Sequence, residues 1–428
     1  MTADRDQAAR SSLREPAFAR LWGAGLSSEI GQWMLLLALP LYVLTMTGSA
    51  LVTSTVAMLG LLPSLVCAPL AGMIADRWSR RWFLALVSLG QGAVLLPLLL
   101  VQGPGQLWIV YLVSAAQAGF GAMFEAAKVV TLPALVRHEQ LVSANAMISL
   151  NATIGRLAGS PLGGVLLSQF GLRSVVFAGV GAFVVAAVLA ATIPAGTESA
   201  GGEGVGFVSG LVAGAKSLWQ VRTLRGPAIC VALLSLAQGM FVVLFLLFVT
   251  ELIGRGESEA GVLRGVQAIG GFAGAAVAGS LTRRLGAPRL LSWSPFAFGG
   301  VSALTWNFSL VQPGFWVYVC LFTVAGAPGV LAAAGCMSLL QQAAPPALRG
   351  QVLGSVLGLS DTLQALGMFV AGVLVGPVGT LFLLDAQASL FLVAGLLMWR
   401  MLAGPRVRRD RRHGSLWSGN RSRRERTA

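Results

Sequence analysis

Apolar residues in this chain come in runs too long for strands and too many for one buried core helix. About 20 predominantly apolar residues cross the ~30 Å hydrocarbon layer of a bilayer as a helix. Twelve such runs occur, at roughly 17–46, 49–75, 82–102, 106–127, 141–168, 173–194, 227–252, 260–281, 288–308, 314–340, 351–375 and 379–402. Barrel strands would instead show short segments of alternating polarity. The pattern predicts an all-α integral membrane protein with twelve transmembrane helices. The longest polar break, 195–226, contains Gly201-Gly202-Glu203-Gly204 and falls after the sixth run. It reads as a flexible linker between two six-helix bundles. The expected organisation is a polar segment 1–16, a bundle 17–194, the linker 195–226, a second bundle 227–402 and a basic tail 403–428.

Charge sets the expected orientation. Arginine and lysine gather in alternate breaks: Arg5, Arg10, Arg14 and Arg20; Arg77, Arg80 and Arg81; Lys128 and Arg137; Lys216, Arg222 and Arg225; Arg283, Arg284 and Arg289; Arg349 and the tail. The other breaks carry Arg173 and Arg255, with Arg264 assigned to the same side. The cation-rich face is cytoplasmic by the positive-inside rule. Both termini are therefore expected in the cytoplasm, with the chain in the inner (plasma) membrane. The polar start lacks the short apolar core and cleavage site of a signal peptide.

Composition narrows the function classes. Of 428 residues 56% are hydrophobic and 11% charged, the mean hydropathy is +0.78 and the net charge is +14. A soluble protein this basic would suggest nucleic acid, but here the cations lie in loops and in the tail. Arg411, Arg412, Arg421, Arg423, Arg424 and Arg426 are expected to meet anionic lipid headgroups. Cys67, Cys230, Cys320 and Cys336 lie in apolar runs at no metal spacing and read as small core residues. His138 and His413 fall in loops. No metal site, catalytic triad or Walker loop is visible, so neither a cofactor, an enzymatic activity nor ATP as energy source is expected.

Gly72 to Arg77 aligns with Gly279 to Arg284 at an offset of 207, and Leu141 meets Leu348 at the same offset. Two matches at one offset argue for a duplicated six-helix unit. The copies differ, since Arg283 stands where Asp76 stands in the first.

The stretch Gly72-Met73-Ile74-Ala75-Asp76-Arg77-Trp78-Ser79-Arg80-Arg81 places one acid and three arginines between two apolar runs. It resembles the signature loop of the major facilitator superfamily, with Ser79 where a second glycine is usual. Further stretches resemble the drug-efflux and siderophore-export branch: Phe18-Ala19-Arg20-Leu21-Trp22, Ala38-Leu39-Pro40-Leu41-Tyr42, Thr47-Gly48-Ser49-Ala50 and Glu139-Gln140-Leu141. In the fifth run, Gly159-Ser160-Pro161-Leu162-Gly163-Gly164 is similar to the glycine-proline motif of exporters, with Ser160 intervening before the proline. The resemblance implies the major facilitator fold, alternating access, and a gate cluster of Gly72, Asp76, Arg77, Arg80 and Arg81 with Glu125 at the end of the fourth run. It implies proton-coupled efflux of an amphipathic small molecule by a monomer, in drug:proton antiport. A siderophore, sugar or lysolipid-like metabolite is the alternative cargo, and a transport-dead receptor the rival of another class.

Ionisable groups within the runs are the candidate machinery, because each costs several kcal/mol in the membrane unless paired or hydrated. Glu29 lies about nine residues into the first run, ~13 Å deep at 1.5 Å per residue, with Gln32 on its face. Arg156 lies near the middle of the fifth run, Asp361 in the eleventh and Asp385 in the twelfth. Glu29 is the leading proton carrier; the alternative is a static ion pair with Arg156. Trp33, Met34, Phe241, Phe245 and Met368 are candidates for an apolar cavity lining.

Overall fold

The computed structural model describes residues 15–67, 79–137, 140–194, 222–285, 287–343 and 349–403. Helices account for most of them. In chain order these are α1 (Pro16–Thr47), α2 (Ala50–Leu59), α3 (Arg80–Leu95), α4 (Leu107–Thr131), α5 (Leu141–Ala191), α6 (Arg222–Leu247), α7 (Glu257–Leu285), α8 (Ala287–Asn307), α9 (Phe315–Ala343), α10 (Arg349–Val378) and α11 (Thr380–Ala403). Ten stretches are long and apolar enough to cross a membrane. One of these, α5, is bent back at Gly171 into arms 141–170 and 172–191, and α8 adds a further helix. Among the described residues this fits the twelve-run expectation.

The turns on one face explain how helices reverse with so little loop. Gly48, Gly171, Gly254 and Gly379 all have positive φ, between 61° and 92°. A left-handed residue ends a helix abruptly, and glycine adopts that conformation without a Cβ clash. Gly48 donates its N–H to the Leu44 carbonyl at 2.8 Å, and Ser49 caps α2 by accepting from the Val52 N–H. Gly254 follows Gly48, and Gly379 follows Gly171, within one residue of the 207-residue offset. The repeat thus extends to turn geometry. Two run boundaries differ from expectation. The fifth and sixth runs are continuous helix save for Gly171, and the second is interrupted at Gly60–Leu61 and described only to Cys67. Most of the linker, the N-terminal segment, and the tail beyond Ala403 fall outside the described residues.

Lipid tails are as apolar as leucine, so helices associate in a bilayer by close packing at small residues. Gly155, Gly159 and Gly163, one turn apart on α5, lie against Glu29, Ile30, Trp33 and Met34 of α1. The next face of α5 meets the other half: a Cβ on Gly261 of α7 would stand 2.8 Å from the Ser160 carbonyl and 3.0 Å from the Pro161 Cα. On the glycine-turn face, one apolar cluster spans both halves, from Met34, Leu41 and Leu44 to Phe241, Phe245, Phe248 and Tyr318. On the face carrying Pro16 and Ala403 the apolar clusters are separate. Phe18, Leu21, Phe83, Phe124 and Leu132 pack in the first half, and Leu224, Leu340, Val352 and Val356 in the second. Among the described residues the halves therefore share one apolar cluster at the glycine-turn face and have separate clusters at the terminal face.

Candidate transport pathway

A cavity of about 360 Å³ lies among Arg156 of α5, Ser235 and Gln238 of α6, Gln267 of α7, Ser360 and Gln364 of α10, and Phe298 and Phe391. Its polar groups are neutral hydroxyls and amides apart from Arg156. Ser235 and Ser360 share a hydrogen bond of 2.6 Å across it. Gln238, Gln267 and Gln364 were indistinguishable in sequence from other polar residues inside runs; the fold brings these three to one place. A second cavity of about 270 Å³ lies wholly in the first half, bounded by Glu29, Gln32, Trp33, Pro40, Ser114 and Gln117.

Trp33 stands between the two cavities and two cations. The Arg156 guanidinium lies 5.5 Å from the Trp33 ring centre. Its buried Nε has no hydrogen-bond partner. Across the contact between halves, Arg264 of α7 shares a small crevice with Trp33 and Ser160. Arg264 is 8% exposed, donates to the Gln267 Oε1 at 3.2 Å, and stacks 5.0 Å from Phe241 and 5.6 Å from Phe245. Arg264 falls within the expected run 260–281, and its grouping with the far-face cations is corrected: on α7 it is buried inside the protein rather than set at the water face.

Glu29 has a different partner from the one weighed in sequence. Lys128 of α4 is 1% exposed, lies 3.9 Å from the Glu29 carboxylate and 2.5 Å from that of Glu125. Lys128, in the last turn of α4, is thus a buried ion rather than a solvent-reaching end charge. Neither Arg80 nor Arg81 is ion-paired with Glu125; Arg80 is buried and Arg81 lies over the Trp82 ring. Gln32 donates to Ser28 Oγ at 3.0 Å, which ties it to its own helix beside Glu29.

The remaining candidates scatter. Asp361 is half-buried beside the cavity residue Ser360 but is not among the cavity's lining residues. Asp385 accepts from Asn307 Nδ2 at 2.8 Å between α11 and α8, away from both cavities. Gly72, Asp76 and Arg77 lie outside the described residues. Gly159 and Gly163 face α1, whereas Pro161 and Gly164 face α7. Met34, Phe241, Phe245 and Met368 are buried in the sealing cluster. Among the cysteines, Cys230 and Cys336 are buried together, but Cys320 is exposed on the helix surface, which corrects its reading as a core residue.

Comparison with known proteins agrees with this architecture. The major facilitator superfamily model matches residues 21–358. An uncharacterised MFS-type transporter of Bacillus subtilis (strain 168), YfiS, is 25% identical over 405 residues, covering 90% of this chain and 92% of that protein. The multidrug efflux pump Tap of Mycolicibacterium fortuitum is 27% identical over 371 residues, covering 83% and 88%. The crystal structure of the nucleoside transporter NupG superposes with a TM-score of 0.72 at 15% identity, over 90% of this chain and 98% of that one. Long apolar helices packed around interior cavities, and a family model that matches most of the chain, make this protein a membrane transporter of the major facilitator superfamily.

Proposed function

We propose that the chain exports an amphipathic small molecule in exchange for protons. The observation that carries this is the charge count around Lys128. One buried ammonium faces two carboxylates, Glu29 and Glu125. Glu125 is 42% exposed and reaches water, so the two acids share one cation and Glu29, which is 14% exposed and lines the cavity, is the one left in the drier site. An ion of that kind is costly there unless hydrated or neutralised. A proton on Glu29 removes its charge when the cavity is dry; water supports the ion when the cavity is wet. Proton affinity that differs between two conformations is what couples a gradient to movement. In this reading the terminal face is cytoplasmic and the state seen is open to the cytoplasm. Arg77, Arg80, Arg81 and Asp76 close that face against Glu125 in the opposite state, and the 195–226 linker joins the two bundles. The efflux function named for the Tap pump supports the direction of transport.

The test uses inverted membrane vesicles and a panel of fluorescent amphipathic dyes under an imposed pH gradient. Wild-type protein should accumulate at least one dye uphill. Glu29→Gln, which mimics the protonated acid, should abolish uphill accumulation while leaving dye exchange at equal pH intact. Unchanged uphill accumulation in Glu29→Gln would remove Glu29 from the coupling step, with Asp361 and then Asp385 next to be substituted.

A further inference from the structure

The two interior arginines are treated unlike the interior lysine. Lys128 has two carboxylates. Arg156 and Arg264 have no acid within ion-pair distance among the described residues. What holds them is neutral: the Trp33 face for Arg156, and the Gln267 amide with the Phe241 and Phe245 faces for Arg264. Both lie beside Trp33, Arg156 over its ring and Arg264 in the crevice that Trp33 lines. Aromatic faces and amides position a guanidinium without cancelling its charge. Buried charges in proteins are ordinarily paired, and here the missing partner is an anion.

We propose that the transported molecule carries an anionic group, a carboxylate, sulfonate or phosphate, which docks between Arg156 and Arg264. This rests on the transporter reading but not on its coupling ion. A guanidinium presents a planar fork of donors that fits such oxyanions two bonds at a time. Arg156 lines the cavity in the state seen, and its Nε is without a partner. Arg264 sits one step deeper, behind Gln267, which lines the same cavity. The two come from opposite halves, so the anion would bridge them. It is met first by Arg156, which lines the cavity, and Arg264 becomes its second contact as the sealed face opens. Phe298 and Phe391 offer the apolar part of the molecule a wall in the same cavity.

The experiment measures binding to the purified full-length protein in gluconate salts by fluorescence polarisation. The probes are two xanthene dyes of similar shape, anionic fluorescein and cationic rhodamine 123. Fluorescein should bind at least about tenfold more tightly, as expected for a charge-assisted bidentate contact. Benzenesulfonate should displace it and benzyltrimethylammonium should not. This part needs no variant. Arg156→Gln and Arg264→Gln should each weaken fluorescein binding at least about tenfold, with partial recovery in Arg156→Lys, which keeps the charge but loses the fork. Equal or preferential binding of rhodamine 123, no saturable fluorescein binding, or displacement by both competitors would overturn the proposal. Failure of the transporter reading looks different: arginine-dependent fluorescein binding with no dye moved into proteoliposomes, with or without a gradient. Rhodamine 123 transport untouched by either arginine substitution would leave transport standing and sink the anion site.

Discussion

Gly164→Val should push the protein out of the state seen. A Cβ on Gly164 would run into the Glu257 carbonyl and stand 3.1 Å from the Gly261 Cα. Both obstacles are backbone, which cannot rotate away as a side chain can. Overpacking a tight contact costs about 1–3 kcal/mol. Here the cost applies only while the halves are closed at the glycine-turn face, because their separation relieves it. At 1.4 kcal/mol per factor of ten, the balance between closed and open should shift by roughly 5- to 150-fold. Ser168 and Ser258, whose hydroxyl oxygens lie 2.6 Å apart across the same contact, supply the assay. Cysteines at both positions, in a background with Cys67, Cys230, Cys320 and Cys336 replaced, should form a disulfide rapidly in the otherwise native chain. Gly164→Val should slow that reaction at least about fivefold, the lower end of the shift. Gly261→Val should act alike from the other half. Gly181→Ala, where a Cβ meets nothing within 4 Å, should leave the rate unchanged. Cross-linking at the native rate in both valine variants would refute the view that this contact parts during the cycle.

Other outcomes follow from the same structure. Lys128→Met leaves the largely buried Glu29 carboxylate, and the more exposed Glu125, without their cation; breaking a buried pair costs about 3–5 kcal/mol, read as a lowered unfolding temperature in detergent. Adding Glu29→Gln should restore part of it, and no rescue would disconnect the two residues. Asp76→Asn should impair vesicle transport far more than Arg283→Gln, since the second copy of the loop has already lost the acid; equal losses at equal expression would count against an asymmetric gate. A reporter fused after Ala428 should be active only in the cytoplasm, as the arginine distribution demands.

The hydrophobic pattern alone determined the all-helical membrane architecture, and the motifs between the runs pointed to the family. The architecture follows from a rule with little tertiary content: a bilayer requires long apolar runs, and charge must lie between them. The Gly159–Gly164 motif was legible for a related reason, because only small residues permit close helix contact. Its division into an α1 face and an α7 face was not legible, since that depends on where α5 sits between two neighbours. The sequence likewise marked Glu29 and Arg156 as costly interior charges but could not pair them. Glu29 lies 99 positions before Lys128, and only the crossing of α1 and α4 brings them to 3.9 Å. Arg264 was grouped with the far-face cations because position near the start of a run does not say whether a side chain turns to water or to the interior. Asp385 was marked by its place within a run, but the helix turns it toward Asn307 rather than the cavity. Depth along a run is one-dimensional and written in the sequence. The direction a side chain faces, and the charge it meets there, are set by the packing of all the helices together.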